Sequence, residues 1–457
     1  MKKILTSVVL LTVGALAFAQ TADPNNFQMT IGAGQTVTLD PAQTYKLTGA
    51  VVVQNGGQLI IPAGTKILGL NGTSSYVAVA QGGKIFSNGT ATNPVIFSSA
   101  SSTPAKADWG GIVICGKAPI NVGATATSEV ASLTYGGTDV ADNSGSITYT
   151  QINWAGARFS ATKEYNGLSL FGVGNGTTID GVSVINGADD GIEFFGGTVN
   201  ASKIVSINND DDAFDWTEGW NGTVTDLYTR RIAETVGNRG IEADNNSSNH
   251  TASPTSNPTL KNVTLIGYKT TDNEGNSSNL FRVGTKGTMD NVIFAGWTTA
   301  IAIESDASMA WFNGNGKFTN VKFVDITNKA TTKTTSGTSA TALPGTYTEN
   351  ENATGAGEGL FLPTWAQGWA GYDQFLGTSD VVKKSSLKIT PSVATDFIQI
   401  HSAAKVTGVE IIDMNGRSIL KANNATTVNV STLAKGVYFV TASNAKGEKE
   451  VAKFIKK

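Results

Sequence analysis

Three acidic residues occupy matched places in the sequence. Glu193, Asp215 and Glu242 are each the middle residue of an apolar-x-apolar triplet: Ile192-Glu193-Phe194, Phe214-Asp215-Trp216 and Ile241-Glu242-Ala243. In an extended chain the flanking residues point one way and the middle one points the other. If the apolar pair faces a core, the acids face outward and stack about 4.8 Å apart from rung to rung. More acids lie beside them: Asp189, Asp190, Asp210 to Asp212, Glu218 and Asp244. Arg282, in Phe281-Arg282-Val283, reads as the middle residue of the next rung, and Arg239 aligns with Asp190 and Asp212.

Like charges at that spacing repel by about 3 kcal/mol per pair at an effective dielectric near 20, and by under about 1 kcal/mol in open water. Three arrangements relieve this. Calcium takes roughly six to eight oxygens, and Asp190, Glu193, Asp212, Asp215 and Glu242 are the candidate ligands. Pairing with Arg239 and Arg282 is the second. Exposure with screening and shifted protonation is the third. A glycosidase needs two carboxylates at a defined separation, and a ladder of acids supplies several such pairs by accident.

The elements that would position these acids follow from repetition. "VVVQNGGQLII" (51–61) and "VAVAQGGKIFS" (77–87) match at an offset of 26. The middle residues of the triplets from Leu168-Ser169-Leu170 to Ile301-Ala302-Ile303 are separated by 24, 22, 27, 40 and 20. Between triplets runs an apolar-x-x-apolar-x-apolar pattern, as in Ile179/Val182/Val184 and Val224/Leu227/Thr229. Short strands and turns at this period, without helical periodicity, predict an all-β right-handed parallel β-helix. Asn186 and Asn208, 22 apart at equivalent turns, are expected to stack as a ladder. Insertions at 245–258, 269–279 and 305–316 stretch the period, and the first is placed to cover part of the acidic face. Residues 329–359 read as a low-complexity loop or linker. Trp365, Trp369 and Tyr372, within 361–376, read as an aromatic cap on the open end of the solenoid, whose sheet edges need cover.

Composition agrees with this reading. Charged residues are 15% of the 457, against roughly 25% in an average soluble protein, while 52 glycines serve the turns. The single cysteine, Cys115, excludes an intrachain disulfide framework or a multi-cysteine metal site, and its apolar strand reads as core. Only His250 and His401 could serve a histidine-dependent triad. A net charge of −3 without a basic stripe argues against nucleic acid. Trp216 reads as core. Trp220, Trp297 and Trp311 lie in or near turns, where a tryptophan can stack on sugar. The rung turns "GVGNG" and "GTKG" precede no helix, so a nucleotide-binding reading fails.

The two ends differ from this body, which is expected to span 20–380. Lys2 and Lys3, the apolar run 4–18 and Ala17-Phe18-Ala19 predict a signal peptide over 1–19, cleaved between Ala19 and Gln20. No later stretch is apolar enough to span a membrane. Residues 387–457 alternate apolar and polar residues between turn signals such as Asn415-Gly416 and predict a small Ig-like β-sandwich. Here "ATDFIQI" (394–400), "VEIIDMNGRSIL" (409–420), "TLAKGVYFV" (432–440) and "KFIKK" (453–457) resemble the type A C-terminal sorting domain of type IX secretion in Bacteroidota. One departure is Pro391-Ser392-Val393 where the family usually has Pro-Asn-Pro. The resemblance implies the type IX translocon and sortase as partners and delivery to the cell surface or beyond. The body, through "DWGGIVICGKAPIN" (108–121) and "DDGIEFFGGTVN" (189–200), resembles β-helical surface proteins of the same phylum.

Together these readings predict an exported β-helix that binds extracellular polysaccharide, or acts in adhesion, without catalysis. One alternative is a calcium-dependent polysaccharide lyase, since such β-helices commonly set Ca²⁺ on a carboxylate face with a basic residue nearby; Arg282 or Arg239 would be that base. The other is a surface-layer or filament subunit associating through the solenoid ends.

Overall fold

The computed structural model describes residues 21–160, 163–232, 238–269, 279–357, 359–372, 387–402, 405–413, 417–444 and 449–457. The signal segment with Ala19 and Gln20, and the Asn415-Gly416 turn, lie outside them. The chain forms two compact units, 1–376 and 377–457.

The first unit is a parallel β-helix with three sheets. Sheets A and B share bent strands such as Thr178–Ile185, Asn200–Ile207, Thr223–Arg230, Thr259–Ile266 and Thr288–Ala295, each paired in parallel with the next, sheet A holding the part before the bend and sheet B the part after it. The bend falls on one left-handed residue per strand: Gly181, Lys203, Asp226, Asn262 and Asn291. Left-handed backbone favours Gly and Asn, and the side chains there bond between rungs. Asn291 donates to Asn262 (2.9 Å), which donates to Asp226 (2.8 Å). Asn208 donates to Asn186 in the same manner at the next corner.

Sheet C stacks the triplets. Ile112–Cys115, Leu168–Phe171, Ile192–Phe195, Phe214–Thr217, Glu242–Ala243, Asn279–Phe281 and Thr299–Glu304 pair in parallel in that order. Their inward residues, such as Leu168, Ile192, Phe194, Phe214, Trp216 and Phe281, are fully buried in one continuous core. Rings stack along it, as Phe194 does on Trp220 with centroids 4.1 Å apart. Trp220 and Trp297 are therefore core residues rather than exposed platforms, and Trp311 alone of the three turn tryptophans keeps a partly open face.

Two expectations need correction. Residues 329–359 are not a simple loop. They carry strands Asn328–Lys333 and Ser339–Thr341, a hairpin completing sheet C, and Tyr347–Glu349, which adds to sheet A. Ala330 and Thr332, both buried, supply the inward positions of the first of these strands. The insertion 305–316 contains a short helix, Asp306–Phe312, whose Phe312 enters the core.

The aromatic segment does not cap the solenoid end. It is a strap that runs back along the outer face of sheet B. Ala356 N–H donates to Thr264 Oγ1 (3.0 Å), Tyr228 Oη donates to the Leu360 carbonyl (3.2 Å), and Gln151 Nε2 donates to the Trp369 carbonyl (2.6 Å). The path thus leads from later rungs to earlier ones. Trp369 and Tyr372 pack with Ile185, Val205, Ile207, Tyr228, Ile266 and Ile293, the outward apolar residues of sheet B.

The second unit is a β-sandwich. Lys388–Thr390, Phe397–His401 and Thr427–Asn429 form one sheet; Val406–Asp413, Ser418–Asn423, Gly436–Asn444 and Lys449–Lys456 lie in the other. Ile398, Ile411, Val430, Val440 and Phe454 fill the space between. His401 sits exposed on this unit beside Thr390.

Candidate metal centre

The acids sit on the outer side of sheet C and in the turn that feeds it. In register, Ser169 faces Glu193, Glu193 faces Asp215, and Asp215 faces Glu242. The next residue in this column is Leu280, not Arg282. The apolar frame of Phe281-Arg282-Val283 misled the sequence reading: Phe281 points inward, Asn279 is the inward partner two residues before it, and Arg282 lies beyond the strand.

Asp190 and Asp212 hold the equivalent turn position one rung apart. Asp212 N–H donates to Asp190 Oδ1 (2.8 Å), and Arg239 N–H donates to Asp212 Oδ1 (2.6 Å). Each carboxylate is thus fixed by the backbone of the following rung. Ligand oxygens of Asp190, Glu193 and Asp215 lie within 4.8 Å of one another, as do those of Asp212, Asp215 and Glu242. A third group, Asp189, Asp190 and Asp211, extends the series by one step.

Pairing is uneven. Arg282 binds Glu242 through one terminal nitrogen and Asp244 through Nε (2.9 Å), and Arg239 reaches Glu242 at 2.9 Å. Among the described residues no lysine or arginine forms an ion pair with Asp190, Glu193, Asp212 or Asp215. Asn166 donates to Glu193 Oε2 (2.7 Å), while Asp215 Oδ1 is buried with no partner. Burial, followed by the neighbouring carboxylates, holds all four well above the usual carboxylate range. Glu242 is also raised by burial, against the pull of Arg282 and Arg239.

The donor set consists of carboxylates, with neither histidine nor thiol in the three groups. That suits a hard cation such as calcium and not zinc or copper. The orphaned Asp215 oxygen is the kind of group a cation would satisfy. The residues present therefore fit Ca²⁺.

The sequence reading missed what covers this face. Residues 117–143 form a lobe over the first rungs, with Ile120, Val130 and Tyr135 packed on Val113, Cys115, Phe171 and Phe195. The outward column is therefore buried at Val113 and Ser169 before it reaches the acids. Cys115 lies under this lobe, and burial pushes its thiol up to about 12. The lobe brings Glu129 toward the cluster; burial, then Glu218, pushes that carboxyl up to about 7. Glu164, on the strand Lys163–Glu164 paired with Arg158–Ser160, lies beside Asp189, whose carboxyl is pushed up to about 9 by burial and then by this neighbour. Neither residue falls in the repeat, so spacing gave no signal for them. The 245–258 insertion lies to one side: Asn245 and Pro254 accept from Asn121, and Ser256 accepts from Gly219 N–H. His250 belongs to this polar loop.

A coiled three-sheet body carrying an outward carboxylate column, with a β-sandwich as a second unit, defines a β-helix protein. Residues 30–370 match the pectate-lyase-like β-helix domain, and the chain belongs to that family. Residues 388–457 match the secretion system C-terminal sorting domain, which directs the protein through type IX secretion to the cell surface or the extracellular space. No helix among the described residues is long and apolar enough to cross a membrane. No curated protein sequence matches the chain. Two phage tailspikes are similar in structure. The enzymatically active domain of bacteriophage CBA120 tailspike protein 2 shares 9% identity over 90% of this chain and 66% of that one, with a TM-score of 0.21. The Dettilon tailspike protein shares 11% identity over 93% and 83%, with a TM-score of 0.27. Likeness at this level bears on neither activity nor substrate.

Proposed function

We propose that the mature body is a non-catalytic, calcium-loaded surface β-helix that binds extracellular glycan, in adhesion or capture. The observation that carries this reading is the set Asp190, Glu193, Asp212 and Asp215: carboxylates in overlapping groups within 4.8 Å, fixed by the next rung and lacking an ion-pair partner. The carboxylates of Glu193 and Asp215 are buried, so a cation held there would neutralise and brace this face, and glycan would meet the surface around it. Sheet A adds a shallow trough of about 460 Å³ lined by Thr178, Asp180, Asn200, Ser202, Thr223 and Thr225, a surface of hydroxyls, amide and carboxylate suited to sugar.

The lyase alternative asks Arg282 or Arg239 to act as base. Burial pulls the Arg282 guanidinium down, but Asp244 and Glu242 outweigh it and drive the net shift upward, so it holds its proton more tightly. Arg239 is committed to Glu242. The test uses the chain from residue 20 on immobilised glycans, with calcium or chelator, while ultraviolet absorbance follows unsaturated product. Saturable retention that needs calcium, with no product, is expected. Product formation lost in Glu193→Gln or Arg282→Ala would establish the lyase instead, and absence of both retention and product would sink both readings.

A further inference from the structure

A second cluster, remote in sequence from the acids, is basic and aromatic. Trp311, on the helix Asp306–Phe312, is half-buried, and its Nε1–H donates to the Gly287 carbonyl at 2.7 Å. Lys317 Nζ lies 4.3 Å and Lys286 Nζ 5.3 Å from the centre of its ring. The two lysines enter from successive rungs, just before the strands that begin at Thr288 and Phe318. The site is held from beneath: Phe312 is buried in the core, and Asn315 Nδ2 donates to the Trp311 carbonyl at 3.1 Å.

Neither lysine is neutralised by a carboxylate, a state they share with exposed lysines such as Lys46 and Lys66; what is particular to them is their convergence on one indole. Lys106, Lys203, Lys269 and Lys329 each contact a carboxylate at 2.6 to 3.0 Å. Among the described residues Lys286 and Lys317 have no carboxylate within ion-pair distance. Two like charges sharing one ring repel each other, and a cation–π contact returns only about 0.5–1 kcal/mol at an exposed site. An anion bound at either ammonium would relieve that repulsion.

We propose that Lys286, Lys317 and Trp311 form a binding subsite for a sugar carrying a tetrahedral oxyanion, a sulfate or phosphate ester. Lysine ammonium groups act as compact point charges, the role lysine plays at phosphate sites, and need none of the planar two-point geometry of the arginine fork. The anchored indole holds the two ammonium groups at one place on the surface. This subsite rests on the glycan-binding reading but requires no calcium.

The experiment keeps chelator present throughout, so the carboxylate column cannot bridge to ligand. Full-length chain from residue 20 is tested by affinity electrophoresis in gels containing dextran, dextran sulfate, phosphorylated dextran or polygalacturonate. Retardation by the sulfated and phosphorylated polymers, weakening with salt, is expected, and their relative strength identifies the ester. Lys286→Gln/Lys317→Gln should weaken it at least tenfold and Trp311→Ala severalfold. Lys46→Gln/Lys66→Gln, an equal charge change at exposed positions of the early strands, should leave it near wild type. Equal loss in both double variants, or retention by polygalacturonate as strong as by the esters, overturns the subsite. Calcium-dependent retention on other glycans would then still stand, so the two readings fail separately.

Discussion

The arithmetic of single residues turns on Asp190 and Asp215, which belong to two groups of acids each or stand between them. Neutralising both should remove the repulsion and the cation site together. Asp190→Asn/Asp215→Asn is expected to raise the thermal midpoint of the chelator-treated protein at pH 8 by a few degrees, about 1–2 kcal/mol of relieved repulsion. It should also abolish the rise that calcium produces in wild type, as calorimetry with and without the ion would report. The pH dependence has a definite sign. The cluster carboxyls lie above their unfolded values near 4, so the folded chain binds more protons than the unfolded one between the two values. Their stabilisation is complete below the unfolded pKa and is lost as pH rises through the raised folded values. Chelated protein should therefore melt at a higher temperature at pH 5 than at pH 8. Calcium, which favours the ionised forms, should close the gap; a midpoint indifferent to both pH and calcium would contradict the charge assignment. Arg282→Ala should cost about 1–3 kcal/mol, discounted for the partial exposure of the pair, because Glu242 and Asp244 lose their shared partner.

Among the elements, the strap and the lobe distinguish this solenoid from a bare coil. Trp369 is fully buried against sheet B, so Trp369→Ala should destabilise by about 3–5 kcal/mol and open the strap to limited proteolysis between 353 and 372. If proteolysis instead begins in the coils, the strap is not a separate seam. The elements also mark where sequence reading succeeds and where it fails. Sheet C was legible because each triplet pairs two inward apolar residues with one polar residue, and the acids fell out of that frame. Arg282 was misplaced because an apolar pair flanks it by coincidence, while the true inward residue, Asn279, is polar and donates to the Ala300 carbonyl. The strap left a signal that went unused. Val205, Ile207, Ile266 and Ile293 make strands apolar on both faces, which marks a sheet covered on both sides. The lobe over Cys115 and the approach of Glu129 left none, since an insertion outside the repeat has no register to read.

At the scale of the whole molecule, a solenoid and a sandwich divide the labour. Each coil contacts its neighbours, so the body gains stability rung by rung, and the sorting tail carries the export instruction. Deleting 388–457 should leave the β-helix folded but retained in the periplasm, measured by cell fractionation; surface delivery of the truncated chain would show a second export signal. The strap has a mechanical consequence as well. Because it carries the chain back from the last rungs to Gln151, Tyr372 sits on the flank of the solenoid and not at its end. Tension applied at Tyr372 would be met first by the indole of Trp369 and the seam along sheet B. Under load the strap would peel away like tape, ahead of any hydrogen bond between coils, and so act as a sacrificial fuse for the rod beneath it.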